Sequence, residues 1–170
     1  MNVYTDGSKT DTGVRCGYAI LSNGKLLADK CIPLGKECTV FQAELEAIHR
    51  SACYLNKNFN LISPKYIKIF SDNQSSLQAL NATNITSKTA LKTIMSLYSL
   101  GKRVKRLTLV WIKAHVGHPG NEMADDLAQR ATRFCSPNNE TPLAIISVKE
   151  NLKIKIYDSW MTAWLSLIHI

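Results

Sequence analysis

The chain has 170 residues, enough for one domain with a hydrophobic core, and its 45% hydrophobic and 20% charged residues are typical of a globular protein rather than a disordered one. The formal net charge is +8, and residues 1–136 carry all of the excess, with 18 basic and 10 acidic residues. A basic domain favours a polyanionic partner such as nucleic acid, although a merely soluble basic protein has the same balance. No apolar run approaches membrane-spanning length, so we expect no association with a membrane.

The cysteine content argues against a disulfide framework and against a zinc site. The count is odd, and no two cysteines are separated by only two residues: Cys16, Cys31, Cys38, Cys53 and Cys135. No signal peptide follows Met1, so we expect an intracellular protein with reduced thiols, in the nucleus or the cytoplasm.

The predicted elements begin with three strands at residues 2–6, 14–22 and 25–32, the last two joined by an Asn23-Gly24 hairpin turn. Residues 39–56 change to helical periodicity. Further elements are predicted at 66–71 (strand), 73–81 and 88–100 (helices), 107–112 (strand) and about 121–134 (helix). Hairpin strands followed by strands alternating with helices indicate an α/β fold with a five-stranded mixed sheet, its first three strands antiparallel.

The sequence after this domain is different in character. Residues 136–139 resemble a linker, so we divide the chain into a domain at 1–136 and a tail at 137–170. The tail has an apolar helical stripe at about 145–167, formed by Val148, Leu152, Ile156, Trp160 and Trp164. Such a stripe must pack on its own domain, on a second copy or on a neighbouring segment. The start at a first strand is typical of a piece of a longer polyprotein.

Two aspartates lie at the ends of predicted strands. Asp6 ends the first strand and Asp72 the fourth, and the carboxyl ends of parallel strands form ligand sites in open α/β sheets. Each also has a structural explanation, because Asp6 can belong to a turn with Gly7 and Asp72 can cap the next helix.

A helical wheel separates the two glutamates of the 39–56 helix. Glu44 lies at the edge of the apolar stripe, where a carboxylate needs a cation or hydrogen bonds. Glu46 is predicted to point to solvent. The same reasoning leaves Asp125 and Asp126 undecided, since both flank the apolar face of their helix and acidic residues in a first turn are favourable in themselves.

If Asp6, Glu44, Asp72 and one of Asp125 and Asp126 converge, their repulsion requires a hard divalent cation. Mg²⁺ prefers oxygen ligands and binds phosphates. Two such ions ~4 Å apart can clamp a phosphodiester, which is consistent with a basic surface around an acidic centre.

Four segments, in order, resemble the motifs of the type 1 ribonuclease H family. They are Tyr4-Thr5-Asp6-Gly7-Ser8, Gln42-Ala43-Glu44-Leu45, Ser71-Asp72-Asn73-Gln74, and the stretch from Trp111 through His115-Val116-Gly117 to Gly120-Asn121-Glu122-Met123-Ala124-Asp125. The motif sequences are most similar to those of the RNase H domains of non-LTR retrotransposon polyproteins, where the domain follows a reverse transcriptase. The resemblance covers residues 2 to about 134.

The resemblance implies a ribonuclease H-like fold and hydrolysis of the RNA strand of RNA–DNA hybrids with two Mg²⁺ ions, for which Mn²⁺ can substitute. It assigns the metal ligands to Asp6, Glu44, Asp72 and Asp125, and thereby chooses Asp125 over Asp126. It gives His115 a part in proton transfer or product release; otherwise His115 is a loop histidine without a role.

The same comparison assigns Thr39 to a phosphate contact and Gln74 to a substrate contact, while Glu122 lies near the metals. The chain departs from the family in two respects. The stretch between Asp72 and Trp111 is too short for the extra basic helix of some members, and residues 40–42 replace polar and basic residues that contact the minor groove.

Two other functions compete with an active hybrid nuclease. One is a catalytically inactive nucleic-acid-binding module, against which the complete set of carboxylates argues. The other is a transposase or resolvase of the same fold. Those enzymes lack the Gly-Asn-Glu-x-Ala-Asp helix start that this chain has at residues 120–125, which argues against this alternative. The basic run at residues 102–106 is open to three interpretations: phosphate contact, a solvated helix end or a nuclear-targeting patch.

Overall fold

The computed structural model describes residues 1–11, 13–130 and 145–168. Within them the chain forms five strands and six helices: β1 (Asn2–Thr10), β2 (Gly13–Ser22), β3 (Lys25–Pro33), α1 (Val40–Lys57), α2 (Phe59–Ile62), β4 (Tyr66–Ser71), α3 (Gln74–Leu80), α4 (Lys88–Gly101), β5 (Arg106–Trp111), α5 (Pro119–Arg130) and α6 (Ile145–Ile168). The predicted α/β class is therefore confirmed.

The five strands form one mixed sheet in the order β3-β2-β1-β4-β5. β1, β2 and β3 pair antiparallel, whereas β4 pairs parallel to both β1 and β5. The β2–β3 turn has positive φ angles at Asn23 (51°) and Gly24 (77°), the conformation that an Asn-Gly hairpin turn requires. The hairpin and the mixed sheet are as predicted from the sequence.

The sheet separates two helical layers. α1 packs on β1 and β2 and, on its outer side, against α4, while α5 packs on the opposite face against β1, β2 and β3. α1 is therefore enclosed between the sheet and another helix, and eleven of its residues are buried. The prediction that Glu46 points to solvent is wrong, because its side chain is fully buried beneath α4.

Some element boundaries differ from those predicted. β1 continues past Asp6 to Thr10 because it pairs with β2 along its whole length, so Asp6 lies within the strand. α5 begins at Pro119 rather than near Asn121, which places Asp125 and Asp126 in its second turn, while Glu122 is its first-turn acid. The short helix α2 was not predicted.

The tail contains the predicted helix as α6, while the expected linker, Cys135 and the predicted end of α5 lie outside the described residues. The first residues of its apolar stripe, Val148, Leu152 and Ile156, are exposed. The side chains of Trp160 and Trp164 also lie outside the described part. No helix among the described residues combines the length and apolar character needed to cross a membrane.

Candidate metal centre

Three carboxylates meet where two parallel strands stop pairing. The β1–β4 pairing ends one residue before Asp6 and Asp72, so both side chains emerge at the same edge of the sheet. Glu44 reaches this edge from α1. One oxygen atom from each of the three carboxylates lies within 4.8 Å of the others. The structure thus brings together three of the four residues that the sequence singled out as metal ligands.

Gly7 allows α1 to approach β1 closely enough for this meeting. A Cβ atom at Gly7 would lie 2.5 Å from the backbone nitrogen of Glu44 and 2.8 Å from the carbonyl carbon of Ala43. Any side chain at Gly7 would push the helix, and with it the Glu44 carboxylate, away from the sheet.

The cluster is strongly acidic and poorly solvated. Burial first, and then the carboxylates of Asp6 and Asp72, raise the pKa of Glu44 from its ordinary value of 4.5 to about 9. Burial, followed by Asp72 and Asp125, raises the pKa of Asp6 from 3.8 to about 7. Without a cation, these groups therefore retain protons at pH values where exposed carboxyl groups are ionised.

The donor set fits a hard divalent cation. The Oε2 atom of Glu44 is buried and has no hydrogen-bond partner among the described residues. A buried carboxylate oxygen without a partner is costly, and a metal ion supplies both a partner and the missing positive charge. Three carboxylates with no nitrogen or sulfur ligand match Mg²⁺ or Mn²⁺ better than zinc.

Asp125 lies beside the three-carboxylate cluster rather than within it. Its negative charge acts on Asp6, as does the charge of His115. Gln129 Nε2 donates a hydrogen bond of 2.8 Å to Asp125 Oδ1, while His115 Nδ1 lies 3.8 Å from Asp125 Oδ2. Asp125 is therefore adjacent to the cluster.

His115 belongs to the loop between β5 and α5. Its φ angle of 53° is unusual for a residue other than glycine, and its side chain is 75% exposed. The imidazole therefore lies at the solvent side of the carboxylates, where it can exchange protons with water.

Asn121 is a site residue that was not singled out from the sequence. Its side chain is buried, and Nδ2 donates a hydrogen bond of 3.2 Å to Asp72 Oδ2. Trp111 Nε1 donates to the backbone oxygen of Asp72 at 3.0 Å. Asn121 belongs to the Gly-Asn-Glu segment that starts α5, so its motif was visible, but its contact with Asp72 depends on how α5 crosses the sheet.

The two predicted substrate contacts lie at helix starts. Thr39 caps α1: its Oγ1 accepts a hydrogen bond from Gln42 N (3.2 Å), and Thr39 N donates to Gln42 Oε1 (3.0 Å). Gln74 is the exposed first residue of α3. Glu44 follows Thr39 by five residues, about 7 Å along the helix axis. A substrate role for either residue remains a prediction.

Comparison with known proteins identifies the family of the chain. The family model described as RNase H matches residues 1–133. Ribonuclease H of Helicobacter pylori strain HPAG1 is 28% identical over 136 residues, covering 76% of this chain and 90% of its own length. Ribonuclease HI from a second Helicobacter pylori strain is similar to the same extent.

Two solved structures share the fold. RNase H1 of the archaeon Halobacterium salinarum superposes with a TM-score of 0.60 at 19% identity, covering 76% of this chain and 95% of its own. The N-terminal RNase H domain of a Mycobacterium tuberculosis protein gives 0.61 at 17% identity, covering 77% and 93%. The fold is therefore that of the ribonuclease H-like nucleases. The chain belongs to the RNase H family.

Proposed function

We propose that this protein is a magnesium-dependent ribonuclease H that hydrolyses the RNA strand of RNA–DNA hybrids. The observation that carries the proposal is the meeting of the buried carboxylates of Asp6 and Glu44 with the half-buried carboxylate of Asp72, with Asp125 alongside. A group of like charges in a poorly solvated place destabilises a fold, so its presence is explained by a cationic ligand.

The metal ligands in this proposal are Asp6, Glu44, Asp72 and Asp125, holding two Mg²⁺ ions, for which Mn²⁺ can substitute. When bound, such ions activate a water molecule and stabilise the charge that develops on a phosphodiester. Two neighbouring side chains keep the ligands in place: Asn121 fixes one oxygen of Asp72, and Gln129 fixes one oxygen of Asp125.

His115 is proposed to carry protons rather than to bind metal. It is exposed, it lies 3.8 Å from Asp125, and imidazole changes charge near neutral pH. A histidine in this position can take up a proton at the reaction site and release it to bulk water. Metal sites built from carboxylate oxygens do not need a nitrogen ligand.

The substrate is proposed to be recognised by its backbone. The net charge of +8 favours a nucleic acid, and 2′-hydroxyl contacts distinguish RNA from DNA without regard to base sequence. Thr39 and Gln74 are the proposed contacts, at the starts of α1 and α3. The relatives with similar sequence are named as ribonucleases H, which supports the same substrate class.

We also propose a division of labour along the chain and a biological setting. Residues 1–136 form the catalytic domain, and residues 137–170 serve docking or linking. The style of the motifs favours a retroelement origin, with a reverse transcriptase as the partner domain. Truncation after Ser136 is expected to preserve cleavage and to change solubility or oligomeric state, measured by light scattering; a folded truncated protein that binds no hybrid contradicts this division.

The deciding experiment is cleavage of an RNA–DNA hybrid labelled on the RNA strand, with duplex DNA and duplex RNA of the same sequence as controls. We expect cutting of the hybrid alone, dependent on Mg²⁺ or Mn²⁺ and abolished by EDTA. Asp72→Asn should be inactive, while Asp126→Asn serves as the matched control and should retain activity. Cleavage of duplex DNA would assign the protein to the transposase type, and no cleavage of any substrate would indicate an inactive binding module.

A further inference from the structure

The basic residues of this protein are concentrated in one part of the chain. Residues 47–121 contain eleven Lys and Arg residues and a single acidic residue, Asp72, which belongs to the metal centre. The rest of the chain contains ten basic and twelve acidic residues. The positive charge is therefore carried by the half of the molecule that contains β4, α4 and β5.

A groove lies over β4 and β5 on the face of the sheet that carries α5. α5 packs on β1, β2 and β3, and it leaves β4 and β5 uncovered. The groove has a volume of about 450 Å³ and is lined by Tyr66, Ile67, Lys68, Arg106, Thr108 and Val110. We call it the β4–β5 groove.

The strand register places an aromatic ring and two cations side by side in this groove. Tyr66 is paired with Arg106, and Lys68 with Thr108, so these side chains are neighbours on the same face. Tyr66 is 59% exposed, and Lys68 and Arg106 are also exposed. An open aromatic face beside two cations is the combination that binds a nucleobase and its phosphate.

Two cations of the basic run at residues 102–106 already have partners within the protein. Lys102 lies over the Tyr98 ring at 4.4 Å, and Arg103 lies over the Phe59 ring at 4.1 Å and donates to the Asn56 backbone oxygen. These contacts tie the first part of the basic run to the helical layer.

Two cations that line the groove, Lys68 and Arg106, and two that precede its strands, Lys65 and Lys105, remain available. Lys105 N donates to Lys65 O at 2.9 Å, which joins the starts of the two strands. In the described part of the chain, no ion pair engages the side chains of Lys65, Lys68, Lys105 and Arg106. Their charges face solvent at the open edge of the sheet.

We propose that the β4–β5 groove binds single-stranded nucleic acid, with Tyr66 stacking on a base and Lys68 and Arg106 contacting the backbone. Lys68 precedes Asp72 by four residues, about 13 Å along β4, so a strand in the groove can continue from a hybrid held at the metal centre. The occupant is therefore the unpaired extension of that hybrid. This inference deepens the proposed function and rests on it for the identity of the hybrid.

Binding of fluorescein-labelled oligo-dT to the full chain tests the proposal, measured by anisotropy in EDTA so that neither metal nor cleavage contributes. The double variant Lys68→Gln/Arg106→Gln should weaken binding about tenfold or more, and it should reduce the slope of log K against log salt by about 1.4, the value for two lost phosphate contacts. Tyr66→Ala should cost about fivefold or more, whereas Tyr66→Phe should retain affinity because the ring still stacks.

The matched control is Lys25→Gln/Lys30→Gln, which removes two exposed cations from β3 at the opposite edge of the sheet. Its affinity should be close to that of the unaltered protein. Equal losses in both double variants would mean that only net charge matters and would overturn the proposal. Unchanged affinity in Lys68→Gln/Arg106→Gln would overturn it too, and a change of oligomeric state in that variant would reassign the groove to protein contact.

The failure of this inference can be told apart from failure of the proposed function. Groove-dependent binding of oligo-dT by a protein that cleaves no hybrid would contradict only the nuclease assignment. Efficient cleavage of the hybrid, together with oligo-dT binding that ignores Tyr66, Lys68 and Arg106, would contradict only the groove.

Discussion

Two glutamates on α1, two residues apart, are both buried and have opposite surroundings. Glu46 faces α4. Its Oε1 atom lies 2.7 Å from Nε of Arg50, one turn further along α1, and 3.4 Å from Nζ of Lys92 in α4. Glu44 faces the sheet edge, where its charged neighbours are Asp6 and Asp72. The protein thus supplies its own cations to one buried carboxylate and further negative charge to the other.

The difference separates a structural carboxylate from a ligand. The charge of Glu46 is balanced by cations of the chain, although its Oε2 atom, like that of Glu44, has no hydrogen-bond partner among the described residues. Nearby His49 is likewise buried, with its ring Nδ1 3.2 Å from Ser96 Oγ. The Glu44 region is incomplete without a cation from outside. Burial alone therefore says little about function, and the sign of the surrounding charge says much more.

The largest expected effect is that of Glu44→Gln on catalysis. Loss of a metal ligand should lower kcat/KM by more than about 100-fold, since loss of residues that merely orient ligands costs 10–100-fold. The thermal midpoint of the metal-free protein should rise at neutral pH, because a carboxyl group whose pKa goes from 4.5 to about 9 must take up a proton on folding there, whereas the amide of Gln need not. Hybrid cleavage and calorimetric melting measure the two effects; near-normal cleavage would remove Glu44 from the site.

The next effect concerns His115 in the loop before α5, with His49 on α1 as the comparison. His115→Ala should slow turnover by about 100-fold, within the usual range for a proton-transferring group, and leave Mg²⁺ affinity unchanged. His49→Gln, on the structural side of α1, is the matched comparison and should affect melting more than turnover. Isothermal titration with Mg²⁺ checks the first claim, and a large loss of metal affinity in His115→Ala would make this histidine a ligand.

Glu46→Gln should show the reverse of Glu44→Gln. The substitution removes the carboxylate charge that Arg50 and Lys92 face, which should lower the free energy of unfolding by about 2 kcal/mol, below the 3–5 kcal/mol of a fully buried pair because both cations are partly exposed. Urea unfolding measures the loss. Cleavage well below the melting temperature should be retained, and a stable but inactive variant would contradict the structural role.

The smallest effect is a pH dependence of stability in the metal-free protein. Asp6 and Glu44 have folded pKa values of about 7 and about 9, raised from 3.8 and 4.5. The folded state therefore binds more protons than the unfolded state between pH 3.8 and about 7 at Asp6, and between pH 4.5 and about 9 at Glu44. Stability from these groups is greatest below 3.8 and falls as pH rises through about 7 and about 9.

Added Mg²⁺ should raise the melting temperature more at about pH 9 than at about pH 5, because protons compete for the same oxygens. Glu44→Gln should flatten the upper part of the pH profile. Melting curves at several pH values, with and without Mg²⁺, test both statements; equal metal stabilisation at every pH is the contradicting result.

Much of the fold followed from local sequence. Asn23-Gly24 fixed the hairpin, since the turn requires two positive φ angles, and alternation of apolar residues predicted β4 with its correct bounds. The predicted strands placed Asp6 and Asp72 at strand ends, which the parallel pairing of β1 and β4 brings together. These features depend on neighbours in the chain or on the period of one element.

Tertiary packing decided the rest. A helical wheel describes one helix with one buried face, so it assigned Glu46 to solvent; α4 covers that second face and supplies Lys92 from a distant part of the chain. The wheel also could not separate Asp125 from Asp126, because the choice depends on where α5 crosses the sheet relative to Asp6. Sequence determined which residues carry charge and how each element repeats, whereas only the packing of elements determined which charges meet, because Coulomb interactions and desolvation depend on distances between segments far apart in the chain.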